Sequence, residues 1–331
     1  MRDPRGLLIL LVLVGCGGGN AGTPDDPRFQ GDYMVAWLVA GTGEPSARAD
    51  LRRVRADGSG FFETDLEPDA HYDRVDSYTL SADGAINGLQ GILCAEGPLY
   101  AEGDLDPEDE TIGIGAGVRL DLQVAQAALF GDYVACGMSF RNADGQASTD
   151  LRSLSADGVM TLDWSVLTDS AGATGSGSQL YSIVDGYLVL ESGELGGTQG
   201  DGNMFVVADQ HGAAGVNSFR VAMRTSSEAT NALFAGEYVC FGFVVSEDGS
   251  EVVTLRAVLE ADGVGVTRTT VTRSDSSREF VVGTFAVAAN GALSLEDGSS
   301  GIVRKDGGAV AWVDTDATDG WLSIWIGVRR S

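Results

Sequence analysis

The residues best equipped for chemistry in this chain are carboxylates: 48 Asp and Glu stand against 21 Lys and Arg in 331 residues. Hard cations bind clustered oxygens, and two loops cluster them, "DLDPEDE" (Asp104 to Glu110) and "DTDATDG" (Asp314 to Gly320). In the second, Asp314, Asp316 and Asp319 nearly match the opening of an EF-hand loop. They stand one residue off register with no flanking helices, so they are weak calcium candidates in what reads as a solvated turn. Paired carboxylates also hydrolyse glycosides, but no spacing here selects a pair. The two histidines, His71 and His211, sit in polar, loop-like surroundings without a nucleophile motif, which gives no Ser/His/Asp arrangement. Nothing supplies three or four zinc ligands at short spacing. Trp321, Ser323 and Trp325 share one face of a strand and offer rings to a sugar or lipid, although aromatic residues on a strand more often pack in a core. The expectation is a non-catalytic protein without metal or cofactor.

The N-terminus gives an address. Arg2 and Arg5 precede an apolar run, Leu7 to Val14, that is too short to span a bilayer and suits a signal peptide over residues 1–15. Leu13, Val14, Gly15 and Cys16 resemble the lipobox of bacterial lipoproteins. That resemblance implies lipidation at Cys16, and Gly17, where inner-membrane members carry Asp, implies the outer membrane. Residues 16–28 are rich in Gly and Pro without apolar periodicity, as befits a tether. No later run approaches spanning length, so the lipid is expected to be the one attachment to the membrane. A formal charge of -27 repels phosphate backbones and makes nucleic acid an unexpected partner. A protein or small-molecule partner remains the expectation. Cys94, Cys136 and Cys240 allow one disulfide at most, or three buried thiols.

These side chains must be positioned by a repeated unit. "FQGDY", "FGDY" and "FAGEY" place Gly31, Gly131 and Gly236 at separations of 100 and 105 residues. Asp57-Gly58, Asp157-Gly158 and Asp262-Gly263 keep the same separations, and a second turn pair follows at Asp83-Gly84, Asp185-Gly186 and Asn290-Gly291. Such pairs between apolar flanks are the strongest local hairpin signal. "LRRV", "LRSL" and "LRAV" precede the first turns and repeat Arg52, Arg152 and Arg256, which are expected to have a structural role. The units are expected over residues 29–122, 128–225 and 232–331.

Each unit ends in a strand of period two, such as Leu322, Ile324, Ile326 and Val328 alternating with Trp321, Ser323, Trp325 and Gly327, which predicts one buried face. The opening strands are apolar on both faces: Tyr33, Val35, Trp37 and Val39 oppose Met34, Ala36 and Leu38. They should be covered on both sides, so the units should pack on one another. "QVAQAALF" (Gln123 to Phe130) offers no more than a short helical linker turn.

About eight strands in meander order per unit predict an all-β protein of three antiparallel units, each closing into a small barrel. The Gly-x-Tyr opening resembles the lipocalin-like (calycin) barrels, in which a basic residue on the last strand packs across an aromatic ring on the first. The resemblance implies structural pairs of Tyr33 with Arg119, Tyr133 with Arg224, and Tyr238 with Arg329. A six-bladed propeller, two blades per unit, is the alternative. Short strands favour filled barrel interiors, whereas one open apolar cavity would favour a carrier of a small apolar ligand.

Overall fold

The Asp-Gly pairs turn the chain where they stand. In the computed structural model, Asp157 Oδ1 accepts hydrogen bonds from the backbone N–H groups of Val159, Met160 and Thr161 at 2.8–2.9 Å. These donors, Thr161 and Val159 foremost, push the Asp157 carboxyl down to about 2. Asp262 accepts the same three bonds from Val264, Gly265 and Val266. The structure describes residues 28–330 apart from 42–46, 66–73, 88–89, 96, 105–110, 142, 210–214 and 274–276.

The third unit has eight antiparallel strands: Gly236–Ser246, Val252–Ala261, Val266–Arg273, Arg278–Val287, Ala292–Leu295, Ser300–Val303, Ala309–Asp314 and Trp321–Arg329. They close into a barrel, because the first strand pairs with the second and with the last. The second unit, from Gly131–Arg141 to Val216–Arg224, closes identically. The first unit, from Gln30–Gly41 to Thr111–Arg119, forms a nine-stranded sheet in the same order. Its extra strand arises because the fourth strand is broken at Tyr78 into Arg74–Ser77 and Thr79–Leu80. Tyr78 N–H still donates to the Gly60 carbonyl at 2.8 Å, as Tyr181 does to Met160 at 2.8 Å and Phe285 to Gly265 at 2.9 Å in the closed barrels. Barrels, not propeller blades, are therefore formed. Helical structure among the described residues is confined to single 3-10 turns, one of them at Gln126–Leu129 within the linker.

Both faces of the opening strands are buried, each by a different partner. Tyr33, Val35, Trp37 and Val39 point into the first barrel. Met34, Ala36 and Leu38 point out of it, into one apolar core that they share with Val134, Cys136 and Met138 of the second barrel and Val239, Phe241 and Phe243 of the third. The closing strand of the third unit buries the apolar face read from the sequence, with Trp321, Ser323 and Trp325 half-buried opposite it, whereas that of the first unit is buried on both faces. Leu322, Ile324, Ile326 and Val328 lie outside the barrel in the shared core, while Trp325 and Gly327 face inward.

The packing is cyclic. The second strand of each unit lies against the seventh strand of the next: Arg48–Asp57 on Met204–Asp209, Ala147–Ala156 on Ala309–Asp314, and Val252–Ala261 on Leu99–Asp104. Thr149 donates from its hydroxyl to the Asp314 carbonyl at 2.6 Å, and Thr254 makes the matching bond to Asp104 at 3.0 Å. Register also corrects the apparent repeat of arginines. Val35 pairs with Arg52 and Ala135 with Arg152, so both arginines face inward, but Cys240 pairs with Ala257 and leaves Arg256 on the outer face. "LRAV" starts one residue early relative to its turn, and one residue reverses the face.

One end of each barrel is sealed by the repeated tyrosine. The hydroxyls of Tyr33, Tyr133 and Tyr238 donate to the carbonyls of Gly97, Gly202 and Gly307, each at 2.7 Å. Tyr33 and Arg119, Tyr133 and Arg224, and Tyr238 and Arg329 are direct cross-strand neighbours. In the second barrel the Arg224 guanidinium lies 5.4 Å from the Tyr133 ring centroid and donates to its hydroxyl at 2.9 Å. A contact of this kind contributes about 0.5 to 2 kcal/mol. Gly202 has φ of +64°, and a Cβ there would overlap the Ala128 carbonyl. Gly202→Ala should therefore destabilise the protein by about 2 kcal/mol or more in urea melts. Gly172→Ala, with φ of +70° but open space around it, should cost only the backbone strain of about 1 kcal/mol.

Candidate functional site

Three equivalent frames enclose three different interiors, and the difference begins at one cross-strand pair. In the first barrel Trp37 on the opening strand faces Gly115 on the closing strand, where any Cβ would strike the indole. In the other two the order is reversed: Gly137 faces Arg220, and Gly242 faces Trp325. Large and small exchange sides because the barrel is wide enough for one large side chain per layer.

The first and second interiors are occupied by charge. Arg52 lies over Trp37 at 4.7 Å. Burial pushes the nearby Glu102 carboxyl up to about 8 against the attraction of Arg52. In the second barrel Arg220 bridges Glu194 and Asp150, the latter at 3.3 Å, and Arg152 reaches Asp150 at 2.7 Å. Arg152 also covers the Trp164 ring at 5.2 Å. Burial alone would raise the Asp150 and Glu194 carboxyls, but Arg220 and Arg152, joined at Glu194 by hydrogen bonds from Ser218 and Ser192, together offset it and hold both below the ordinary carboxylate range. Two carboxylates held ionised do not form the acid and base pair of a glycosidase, which needs one of them protonated.

The third interior is open. Trp312, from the seventh strand, stacks on Trp325 with ring centroids 5.5 Å apart and planes within 4°. Beside them a cavity of about 360 Å³ extends to the end of the barrel opposite Tyr238, walled by Ala257, Leu259, Val271 and Leu295 with Thr267 and Thr269. A filled interior was expected; in this barrel the expectation fails because no charged network replaces the one around Arg220. The rim includes Val281 and Val282, 44% and 58% exposed, and beside them Phe280 is 65% exposed. Glu296 and Asp297 are the charged side chains along the cavity wall. Glu296 accepts from Thr284 N–H at 2.9 Å, and Asp297 from Ser299 N–H at 2.9 Å, which holds both carboxylates at the rim. The site thus offers a flat aromatic wall, apolar sides and negative charge at the entrance. This suits a neutral or cationic guest with an apolar face.

Of the sequence-predicted face, Trp325 lines the cavity, whereas Trp321 stands at the beginning of the strand beside the turn that carries Glu247, Asp248 and Glu251. Ser323 pairs with Asp314 across the strand and is not part of the wall. The calcium candidates are engaged separately by the backbone: Asp314 accepts from Asp316 N–H, Asp316 from Thr318 N–H and Asp319 from Trp321 N–H, at 2.9–3.0 Å. No cluster able to hold a metal ion occurs among the described residues. Cys94, Cys136 and Cys240 are buried, and burial raises the Cys136 and Cys240 thiols. Cys16, His71, His211 and the 105–110 part of the first acidic loop lie outside the described residues. Glu296, Asp297 and Val281 were not singled out from sequence. They come from three different turns and strands, and no local pattern joins them.

No family model and no curated protein matches this sequence. Among solved structures, transferrin binding protein B from serogroup B Neisseria meningitidis is similar at a TM-score of 0.31 and 10% identity, covering 92% of this chain and 77% of that one. A variant of the vaccine antigen transferrin binding protein B from Haemophilus parasuis gives 0.30 and 9%, covering 90% and 75%. A protein with unknown function from Nostoc punctiforme gives 0.21 and 10%, covering 63% and 99%.

The buried network of the second barrel makes a direct prediction. Glu194→Gln takes one of two carboxylates from buried Arg220 and should cost about 3 kcal/mol at pH 7 in urea melts. The depressed carboxyls contribute stability above their ordinary range of about pH 4, and it disappears as pH falls through their lowered values. The wild-type advantage over Glu194→Gln should therefore shrink in melts below about pH 4.

Proposed function

We propose that this protein is a non-catalytic binding lipoprotein of the bacterial outer membrane, tethered through Cys16, whose third barrel takes a small ligand with a flat apolar face. The observation that carries the ligand reading is the stacked Trp312–Trp325 wall of an open cavity, present in one barrel of three. An indole stack lining a concave apolar site presents an aromatic surface whose remaining burial by a guest is favourable and whose geometry is already set. The first two barrels, with charged and aromatic interiors, serve as the frame.

The address is supported by the signal-like residues 1–15, the Leu13–Cys16 lipobox and the Gly- and Pro-rich tether 16–28. No helix among the described residues is long and apolar enough to cross a membrane. The reading of the three units, 29–122, 128–225 and 232–331, as lipocalin-like is supported by the Gly-x-Tyr opening with its cross-strand arginine. The charge of -27 favours a ligand or protein partner over nucleic acid.

Native against denaturing mass spectrometry of the protein purified from membranes should show a small-molecule excess that vanishes on denaturation. Trp312→Ala and Trp325→Ala should lose that excess, and the affinity for the identified molecule should fall about tenfold or more, with the barrel spectrum by circular dichroism unchanged. Retention of the ligand by both variants would overturn the assignment to this cavity.

A further inference from the structure

A second cleft lies at the other end of the third barrel, where it meets the first. Its walls are Arg304, Asp306, Gly308, Arg329 and Arg330 on one side and Cys94 with Ala95 on the other, around about 410 Å³. Three arginines converge here in a chain with only 21 basic residues and a charge of -27. Arg304 is 5% exposed. Its one carboxylate partner is Asp306, reached through Nη2, while Nε and Nη1 are buried without a hydrogen-bond partner. A guanidinium withdrawn from water is stable only when its donors are used, and this one lines a cleft with two of its nitrogens unused. Arg330 is committed to Glu237 and to Asp83 of the first unit, at 3.0 Å for the latter, so it joins the two barrels and closes the cleft.

The arrangement is peculiar to the third unit. The residues in the place of Arg304 are Gln199 and Cys94, whose N–H groups make the same turn bond, to Met204 and Leu99, that Arg304 makes to Ala309. Those in the place of Arg330 are Thr225 and Leu120, which likewise bond the opening strand, at Asp132 and Asp32. The repeated frame does not require either arginine.

We propose that this cleft binds a small oxyanion, a phosphate or carboxylate group, held by the unused donors of Arg304 and faced by Arg329. Charge-assisted bonds from the guanidinium to the guest's oxygens supply the missing acceptors. The guest is distinct from that of the tryptophan cavity and would bridge the first and third barrels.

The test uses the full protein at constant ionic strength with inorganic phosphate, acetate and chloride as probes. Phosphate or acetate should raise the melting temperature where chloride does not, and phosphorus NMR should show broadening of the phosphate line by the wild-type protein. Arg304→Gln should weaken phosphate or acetate binding about tenfold or more, with Arg304→Lys between the two. Equal melting in all three salts with an unbroadened phosphate line, or wild-type affinity in Arg304→Gln, would overturn the proposal. The phosphorus and acetate readouts on the wild type decide the matter even if the Gln variant fails to fold.

Discussion

The rest of this structure depends on strands that are apolar on both faces. An eight-stranded barrel can bury only the inward half of each strand, and Met34, Ala36, Leu38 and their counterparts would stand in water if a unit folded alone. Burial stabilises by about 25 cal/mol per Å² of apolar surface, so the exposed outer face would be a large penalty. Three units remove it by packing second strand on seventh strand around a cycle. Because the third unit returns to the first, no copy of that contact is left unpaired. The repeat count and the apolar outer faces are therefore two aspects of one constraint.

Fixing the outside leaves the inside free to differ. The Tyr–Gly–Arg seal closes one end of each barrel in the same way, and the outer faces are held by the common core. The layer beyond the seal is under neither constraint. It contains Trp37 with Arg52 in one unit, Arg220 between two carboxylates in the next, and the Trp312–Trp325 stack in the third. The last has no charged side chain at the centre among the described residues, and there the layer leaves space beside an aromatic wall for a guest.

The distribution of the few basic residues follows the same logic. In so acidic a protein, an arginine placed on the surface would lower net repulsion, yet Arg52, Arg152, Arg220 and Arg304 are spent on interior or cleft positions. Arg is suited to this because it stays charged, stacks on rings and binds carboxylates in a fork. At Arg220, paired with both Glu194 and Asp150, it plugs a barrel. At Arg304, paired with Asp306 alone among the described residues, it marks the place proposed for an anion.

Much of this was legible in the sequence. The Asp-Gly pairs, the alternation of the closing strands and the doubly apolar opening strands are local signals, since a turn, a face and a period of two are each decided within ten residues. They sufficed for three all-β meanders that pack together. What the sequence left open was which side of a strand faces which core. Leu322 to Val328 reads as a buried stripe equally well inside a barrel or between barrels, and only the neighbouring units decide. The shift that sends Arg256 outward while Arg52 and Arg152 point in depends on pairing register, which a motif match across copies does not see. The cavity was invisible for a related reason. Trp325 was visible as a ring on a strand, but its stacking on Trp312 and the rim of Glu296, Asp297 and Val281 exist only once strands distant in the chain close the barrel. Local chemistry determined the elements; closure of the ring and the packing of three rings on one another decided what each side chain meets.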